Sequence, residues 1–274
     1  MRLLFCGVRG STSAPGAEFV RVGGHTSCVA LARDGQPWSL VLDAGTGIRR
    51  VTDHLGGEPF AGSVLLTHLH WDHVQGLPFF AAGDRDDSHV RVFMPVDGDD
   101  RAVDVLARAM SPPHFPIGPD GLRGDWCFDA LPPGAHEIEG FKVLAFDVPH
   151  KGGRTFGFRV SDADVSVAYI PDHHPEPDSL PEIVRACSGV DLLVHDSQFV
   201  EPERAVADAY GHATVDDSLD LARRCGARTL ALFHHSPART DDQVAEIGRA
   251  AAGCGIEVIV AREEAIIRVG GGSP

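Results

Sequence analysis

The sequence of 274 residues is 43% hydrophobic and carries a formal net charge of −15 at pH 7. That apolar content is ample for the core of one large domain or two small ones. A nucleic-acid-binding surface is disfavoured, because the charge is strongly negative and no Lys/Arg-rich run occurs in the sequence. The first apolar run is too short for a signal peptide, and no segment approaches the roughly 18 apolar residues of a membrane span. We therefore expect a cytoplasmic protein without a membrane partner.

The six cysteines are scattered along the chain and form no Cys-x-x-Cys pair. This spacing argues against a zinc ribbon and against a dense disulfide framework. We predict that all of them are reduced thiols in the core of a cytoplasmic protein. They are Cys6, Cys28, Cys127, Cys187, Cys225 and Cys254.

Short apolar runs of strand length dominate the first half of the chain. We predict strands at residues 3–6, 28–32, 39–42, 63–66 and 90–94. Glycine-rich loops at 7–12 and 23–27 either form hairpin turns or line the floor of a site. Apolar residues at helical spacing predict a helix over 100–110, which must stop before the following Pro-Pro pair. The Pro- and Gly-rich segment 111–134 is predicted to be an extended loop or lid.

The second half alternates strands and helices. We predict strands at residues 141–148, 155–160, 165–170, 191–195, 229–233, 257–260 and 265–269. Helices are expected at 181–186, at 214–225 before Gly226, and from the capping box at Thr240 to residue 252. Two sheet-rich halves with helices in both favour one α+β domain over residues 1–274, arranged as a four-layer αββα sandwich.

Three histidines and one aspartate follow the predicted strand 63–66 almost immediately. They are His68, His70, Asp72 and His73. A tight turn at a strand end can fold these side chains toward one point. Imidazole nitrogen and carboxylate oxygen are the usual ligands of zinc, and they also suit manganese or iron. A polar loop with chance histidines is the alternative, but surface histidines do not usually cluster at ligand spacing.

Further candidate ligands follow other predicted strands. His150 comes just after strand 141–148, and Asp172 just after strand 165–170. A carboxylate at that place can bridge two metal ions, since each of its oxygens can bind one ion. His234 and His235 both follow strand 229–233, and alternation along the strand lets only one of them face the site.

Other histidines are weaker candidates for the site. His173 and His174 either line the pocket or lie in a solvated loop, and His25 and His114 lie in loops that can reach a cleft. Three further histidines have no supporting context in the sequence, and we predict that they are surface residues. These are His54, His89 and His136.

The pattern His-x-His-x-Asp-His over residues 68–73 resembles the signature of the metallo-β-lactamase superfamily. In that superfamily the motif supplies ligands to two adjacent metal ions. The resemblance implies the metallo-β-lactamase fold. It also implies that Asp43, in the Asp-Ala-Gly segment after the third strand, supports the metal loop from behind without binding metal.

Three further segments resemble the phosphodiesterase branch that contains ribonuclease Z. Residues 191–199 resemble its Leu-x-His-Glu-Ala-x-Phe with Asp196 in place of Glu, and 210–214 resemble its Gly-His-Ser-Thr with Ala213 in place of Ser. Residues 232–239 resemble its Leu-x-His-x-Ser segment, which favours His234 over His235 as a ligand. The basic tRNA-binding arm of ribonuclease Z has no counterpart here. The sequence instead resembles small-substrate relatives such as cyclic phosphodiesterases.

These assignments predict a site for two divalent cations, zinc with manganese or iron as alternatives. His68, His70 and His150 would hold one ion, Asp72, His73 and His234 the other, and Asp172 would bridge them. A water held between the ions, with Asp72 orienting it, would attack phosphorus as a metal-bridged hydroxide. His212 is predicted to protonate the leaving alkoxide, with Asp196 holding its tautomer. Alternatively, His212 only precedes the helix cap Thr214.

The leading hypothesis is therefore a metal-dependent phosphodiesterase that acts on a small or cyclic phosphodiester. The alternatives are a lactonase or β-lactamase, a ribonuclease Z-like RNA-processing nuclease, an iron-dependent oxidoreductase, and an assembly protein without turnover. The expected partner is a small-molecule phosphodiester, nucleic acid is disfavoured, and a homodimer stays an open alternative. Substrate discrimination is expected in the walls of the pocket, within segment 111–134.

Overall fold

Two β-sheets pack face to face and carry helices on their outer surfaces. The computed structural model describes residues 1–98 and 100–270, so Asp99 and the last four residues of the predicted domain lie outside it. The strands, in chain order, are β1 Arg2–Gly7, β2 Cys28–Ala32, β3 Leu40–Leu42, β4 Ala61–Leu65, β5 His89–Met94, β6 Asp125–Ala130, β7 Gly134–Ile138, β8 Phe141–Asp147, β9 Phe156–Asp162, β10 Val165–Ile170, β11 Leu192–Asp196, β12 Thr229–Phe233, β13 Glu257–Val260 and β14 Ile266–Arg268. Within the described residues, one sheet has the order β14-β1-β2-β3-β4-β5-β6 and the other β13-β12-β11-β10-β9-β8-β7.

The helices flank this pair of sheets. In chain order they are α1 Ile48–Asp53, α2 Trp71–Val74, α3 Ala102–Ala107, α4 Leu180–Ala186, α5 Arg204–Tyr210, α6 Val215–Cys225 and α7 Asp241–Ala251. A large apolar cluster that includes Phe5, Phe156 and Phe233 lies between the sheets. Two further clusters lie on the outer faces, one under α1 and α3 and the other under α4 and α6. Helix, sheet, sheet and helix thus form four layers, which confirms the predicted αββα sandwich.

What covers each face of a sheet explains the pattern of buried and exposed residues along its strands. β8 alternates buried and more exposed residues, as a strand covered on one face does. β3 and β11 are buried throughout, because helices cover the outer face of each sheet at its centre. The capping box predicted at Thr240 is present, with Gln243 as its partner, and the other long helix begins with a further box of Thr214 and Asp217.

The predicted loop 111–134 is wrong in its second half. Residues 125–130 form β6, which pairs in parallel with β5 at the sheet edge, and β7 begins at Gly134. The strand is short and lies between Pro- and Gly-rich residues, which dominate the pattern of the whole segment. The predicted helix 100–110 is also shorter than expected, spanning Ala102–Ala107.

The burial of the thiols is more varied than predicted. Cys6, Cys28, Cys187 and Cys225 are buried, as expected. Cys127 is exposed and Cys254 is only partly buried, so the prediction of six core thiols is wrong for these two. Cys127 lies on the edge strand β6, on the face opposite Trp126 and Phe128, which pack against the apolar cluster under α1 and α3.

Strand direction determines where polar side chains meet. β3 to β6 run parallel in the first sheet, and β10 to β13 run parallel in the second. The carboxyl ends of parallel strands lie at the same sheet edge, which is where ligands bind in sheets of this kind. In the described part of the chain, the helices are all too short or too polar to cross a membrane.

Candidate active site

The candidate metal-binding residues converge from four strand ends. The loop after β4 and helix α2 carry His68, His70, Asp72 and His73. His150 follows β8, Asp172 follows β10 and His234 follows β12. The structure therefore brings all seven side chains named from the sequence into two adjoining clusters.

The first cluster contains three imidazoles and one carboxylate oxygen. Nε2 of His68 lies 3.6 Å from Oδ2 of Asp172, and Nε2 of His150 lies 3.4 Å from the same oxygen. Nδ1 of His70 lies 3.3 Å from Nε2 of His150. We call these four residues the outer cluster, because His70 is only partly buried and lines a cavity together with His68.

The second cluster is more deeply buried. Nε2 of His73 lies 3.3 Å from Oδ2 of Asp72 and 3.1 Å from Oδ1 of Asp172. Nε2 of His234 lies 3.2 Å from Oδ2 of Asp72 and 3.1 Å from Oδ1 of Asp172. We call Asp72, His73 and His234 the inner cluster. Asp172 lies between the clusters, with one oxygen directed to each.

These distances fit the shells of two metal ions. Donor atoms bound tetrahedrally to one zinc ion at about 2.0–2.2 Å lie roughly 3.3–3.6 Å from one another. Within the described residues, Nε2 of His68, Nε2 of His73 and Oδ1 of Asp172 are buried without a hydrogen-bond partner. Buried polar atoms normally have a partner, so each of these atoms is explained by a cation that it would bind.

The electrostatics of the outer cluster keep its imidazoles neutral. Burial is the main influence on His68, His70 and His150, and it lowers the pKa of all three below the ordinary value for histidine. A metal ion binds the neutral imidazole, whose nitrogen lone pair is free. The cluster is therefore in the protonation state that metal binding requires.

The inner cluster has a strongly negative potential. Burial lowers the pKa of His73, but the carboxylates of Asp172, Asp72 and Asp43 more than offset this and raise it well above its ordinary value. Burial raises the pKa of Asp72 and Asp172, yet the neighbouring histidines keep both below the usual range. The potential that stabilises a proton on His73 would equally stabilise a metal cation in its place.

A buried hydrogen-bond network supports His73 from behind. Oδ2 of Asp43 lies 2.8 Å from Nδ1 of His73, and it also accepts a 2.9 Å hydrogen bond from the hydroxyl of Tyr169. Its other oxygen, Oδ1, accepts a 2.7 Å hydrogen bond from the backbone N–H of Thr67. Asp43 thus orients the ring so that Nε2 faces the cluster, in the supporting role that the resemblance implied.

Two site residues adopt backbone conformations that are uncommon outside glycine. The φ angles are 59° at Asp43 and 57° at His234. At His234 this conformation ends β12 and turns the side chain into the inner cluster. His235 turns away, with Nε2 3.0 Å from the carbonyl oxygen of Ala261. Its burial lowers its pKa to about 3. The structure therefore brings His234, and not its neighbour, to the site.

A histidine and a carboxylate form a pair beside both clusters. Nδ1 of His212 lies 2.9 Å from Oδ2 of Asp196, and the same oxygen accepts hydrogen bonds from the backbone of Ala213 and His173. Burial lowers the pKa of His212, but the Asp196 carboxylate outweighs it and raises the pKa to about 9. Asp196 reaches the imidazole although its side chain is one methylene shorter than the Glu of the related motif.

Several contributors to the site were missed by the sequence reasoning. The backbone N–H of Ser11 donates a 2.7 Å hydrogen bond to Oδ2 of Asp72, and the carbonyl of Gly211 lies 2.6 Å from Nδ1 of His150. Gly10 approaches the site so closely that a Cβ there would lie 2.4 Å from Nδ1 of His234. The glycine-rich loop 7–12 was the available signal, and of its two predicted roles the structure gives it the one at the floor of the site.

The other histidines lie outside the clusters. His173 is buried behind the site, with Nδ1 2.9 Å from Nε2 of His195. His25 pairs with Glu263 at 2.9 Å, away from the metal loop. His54, predicted to be a surface residue, is partly buried and lies 2.7 Å from Glu264. His114 lines a cavity beside Trp71.

Known proteins that resemble this chain agree with its fold and with its candidate metal site. The family model described as the β-lactamase superfamily domain matches residues 39–235. The ribonuclease Z of Haloarcula marismortui is 26% identical, with 96% of this chain and 95% of that protein covered.

Solved structures share the fold at lower sequence identity. The metallo-β-lactamase fold protein YhfI from Bacillus subtilis superposes with a TM-score of 0.74 at 17% identity, covering 97% of this chain and 99% of that one. A diphosphatase from the PhnP family gives 0.69 at 19% identity, covering 97% of each chain. Fold and site together define a metal-dependent hydrolase of the metallo-β-lactamase fold. The chain belongs to the β-lactamase superfamily.

Proposed function

We propose that this chain is a phosphodiesterase that uses two divalent metal ions to hydrolyse a small or cyclic phosphodiester. Zinc is the proposed metal, with manganese or iron as alternatives. The observation that carries the proposal is the position of Asp172, whose two carboxylate oxygens face two separate groups of imidazoles. A single carboxylate shared in this way suits a pair of ions, since seven candidate ligands exceed the roughly four that one zinc ion takes.

The chemistry that two bound cations would supply is activation of a water molecule and neutralisation of charge on the phosphoryl oxygens. Residues of the chain would orient the metal ligands and admit the substrate. Ser11 holds the Asp72 carboxylate through its backbone N–H, so this inner ligand has a fixed orientation. His70 is partly exposed and, together with His68, lines a cavity through which a substrate can enter.

His212 is the proposed acid for the leaving group. An alkoxide leaves poorly unless it is protonated as the bond to phosphorus breaks. Nδ1 of His212 is engaged by Asp196 at 2.9 Å, which leaves Nε2 to deliver the proton. The raised pKa of about 9 keeps the imidazole protonated at neutral pH, as an acid requires. Its position before the helix cap Thr214 is compatible with this role.

The pair of His212 and Asp196 favours a phosphodiester over a lactone or β-lactam. All three reactions can use the same metal pair and expel a basic leaving group, so the preference rests on the segments that carry the pair, residues 191–199 and 210–214, which resemble those of the ribonuclease Z branch. A parallel assay of bis(p-nitrophenyl) phosphate, cyclic nucleotides, a lactone and nitrocefin tests the proposal. We expect turnover of the phosphodiesters only. Faster turnover of the lactone or of nitrocefin would reject it.

Ribonuclease Z-like processing of RNA is the second candidate, because the ribonuclease Z of Haloarcula marismortui matches over 96% of this chain. The net charge of −15 opposes it, since tRNA binding requires a locally positive surface. A precursor tRNA with a 3′ trailer distinguishes the candidates. Specific cleavage of the trailer at a higher kcat/KM than any small diester would favour the nuclease and reject the small substrate.

A further inference from the structure

We propose that the substrate carries a flat aromatic group, and that this group binds in an apolar pocket beside the metal loop. We call it the Trp71 pocket. It has a volume of about 420 Å³ and lies between α2 and the segment that runs from α3 into the loop at 109–115. This size is in the range of small-molecule sites. The inference rests on the proposed function, because the same substrate would hold its phosphoryl group at the outer and inner clusters.

The Trp71 pocket adjoins the candidate metal site. Trp71 occupies the position between His70 and Asp72, and it is 75% exposed while Asp72 is buried. On the opposite wall lies Thr46, whose Oγ1 is 3.1 Å from the hydroxyl of Ser13 in the loop that also binds Asp72. The pocket and the candidate ligands His70 and Asp72 are therefore neighbours on the metal loop.

Aromatic side chains form the walls of the pocket. Phe79 is 57% exposed, and its ring lies 5.8 Å from that of Phe115 in an edge-to-face arrangement. Met110 and Leu106 of the α3 segment complete the apolar surface. Large apolar side chains that face water together indicate a binding surface, because their exposure is unfavourable until a ligand covers them.

The charge distribution identifies the kind of group that fits. Among the described residues, the lining of the Trp71 pocket includes no Lys, Arg, Asp or Glu. A second cavity, of about 250 Å³, includes His68 and His70 and is lined by Asp100, Arg108 and Arg154. α3 separates the two, with Val105 in the charged cavity and Leu106 in the apolar one. An uncharged ring suits the Trp71 pocket, whereas a second phosphate would lack a cationic partner there.

Two phosphonates test the inference on the metal-loaded protein. Methylphosphonate and phenylphosphonate present the same anionic head to the metals and differ in whether a ring is attached. We expect calorimetry to give phenylphosphonate about tenfold tighter binding, since the ring buries apolar surface. Phe115→Ala and Trp71→Ala should each reduce this preference to about twofold. Val20→Ala removes a side chain that is 73% exposed elsewhere and should leave the preference unchanged.

The variants separate the pocket from the metal loop. Trp71→Ala lies between two candidate ligands, so its metal content is measured alongside, whereas Phe115 lies on a different segment. Equal affinity for the two phosphonates would overturn the inference, as would a preference that survives both variants. The inference would also be overturned if the protein is a dimer that Trp71→Ala dissociates while the preference for phenylphosphonate stays intact. That result would assign this face to contact with a second copy of the chain.

Hydrolysis of bis(p-nitrophenyl) phosphate is measured in parallel, so that the two proposals fail separately. Turnover without a preference for phenylphosphonate rejects the aromatic pocket and leaves the phosphodiesterase in place. A preference that depends on Phe115, without turnover of any diester, supports the pocket and rejects the phosphodiesterase.

Discussion

The outer and inner clusters share Asp172 but are built in different ways. In the outer cluster, His70 is partly exposed, and the buried side chain of His150 is held at Nδ1 by the carbonyl of Gly211 at 2.6 Å. In the inner cluster, His73 and His234 are fully buried, and Asp43 fixes His73 through a network that includes Thr67 and Tyr169. Supported ligands lose less freedom on binding. We infer that the inner site holds its metal more tightly and that the outer site faces the substrate.

Removal of the shared carboxylate should have the largest effect. Asp172→Ala takes one ligand from each cluster, so we expect both ions to be lost and phosphodiesterase activity to fall by roughly 10³-fold or more. Elemental analysis and turnover of bis(p-nitrophenyl) phosphate measure the two effects. His68→Ala is the matched comparison, and it should remove only the outer ion. Retention of two ions in Asp172→Ala would contradict the shared role of this residue.

His212→Ala should have the next largest effect, and a different one. The variant should keep its metal and its fold but lose about 10²-fold in kcat on alkyl diesters, whose leaving groups need a proton. The loss should be much smaller with p-nitrophenolate, which leaves without protonation. Equal losses on both substrate types, or loss of metal, would show that His212 does not act as the acid.

The supporting network gives a smaller effect, largest at the inner site. Tyr169→Phe removes the hydroxyl that donates to Asp43, and we expect the inner ion to bind about tenfold more weakly. The outer ion should be affected much less, because the network reaches His68 only through the hydroxyl of Thr67. Competition with a chelating dye measures both affinities. Weakening of the outer ion alone would mean that Tyr169 does not act through Asp43 and His73.

The smallest effect is expected far from both clusters. Thr240 caps α7 by accepting a hydrogen bond from the backbone N–H of Gln243. Thr240→Ala should cost about 1 kcal/mol of stability and lower Tm by roughly 2 °C. Thermal unfolding measures this change. The metal content and turnover should stay at wild-type values, and loss of metal in this variant would show that the clusters depend on the general stability of the fold.

The sequence revealed the candidate metal ligands of both clusters but not the residues that support them. The outer and inner ligands were all named in advance, because His-x-His-x-Asp-His is dense in one stretch and the other ligands follow apolar strands. Tyr169 was missed, since a tyrosine in a buried strand looks like any core aromatic until its hydroxyl is seen to reach Asp43. Ser11 was missed because it contributes its backbone N–H, which every residue except proline carries.

The fold was predictable to a similar degree. Central strands and capped helices were found because apolar runs and capping boxes are local signals. The edge strand β6 was taken for loop, because the short strand is flanked on both sides by Pro- and Gly-rich residues. The preference for His234 over His235 came from the resemblance, because alternation along a strand does not predict the positive φ of 57° that turns His234 into the site.

Stepwise metal titration of the metal-free protein tests the central claim most directly. We expect two ions per chain, the first bound at least about tenfold more tightly than the second. Asp43→Asn should weaken the tighter step much more than the weaker one, because Asp43 contacts His73 directly and reaches His68 of the outer cluster only through the hydroxyl of Thr67. Saturation at one ion per chain would contradict the paired site, and equal weakening of both steps by Asp43→Asn would contradict the division into inner and outer clusters.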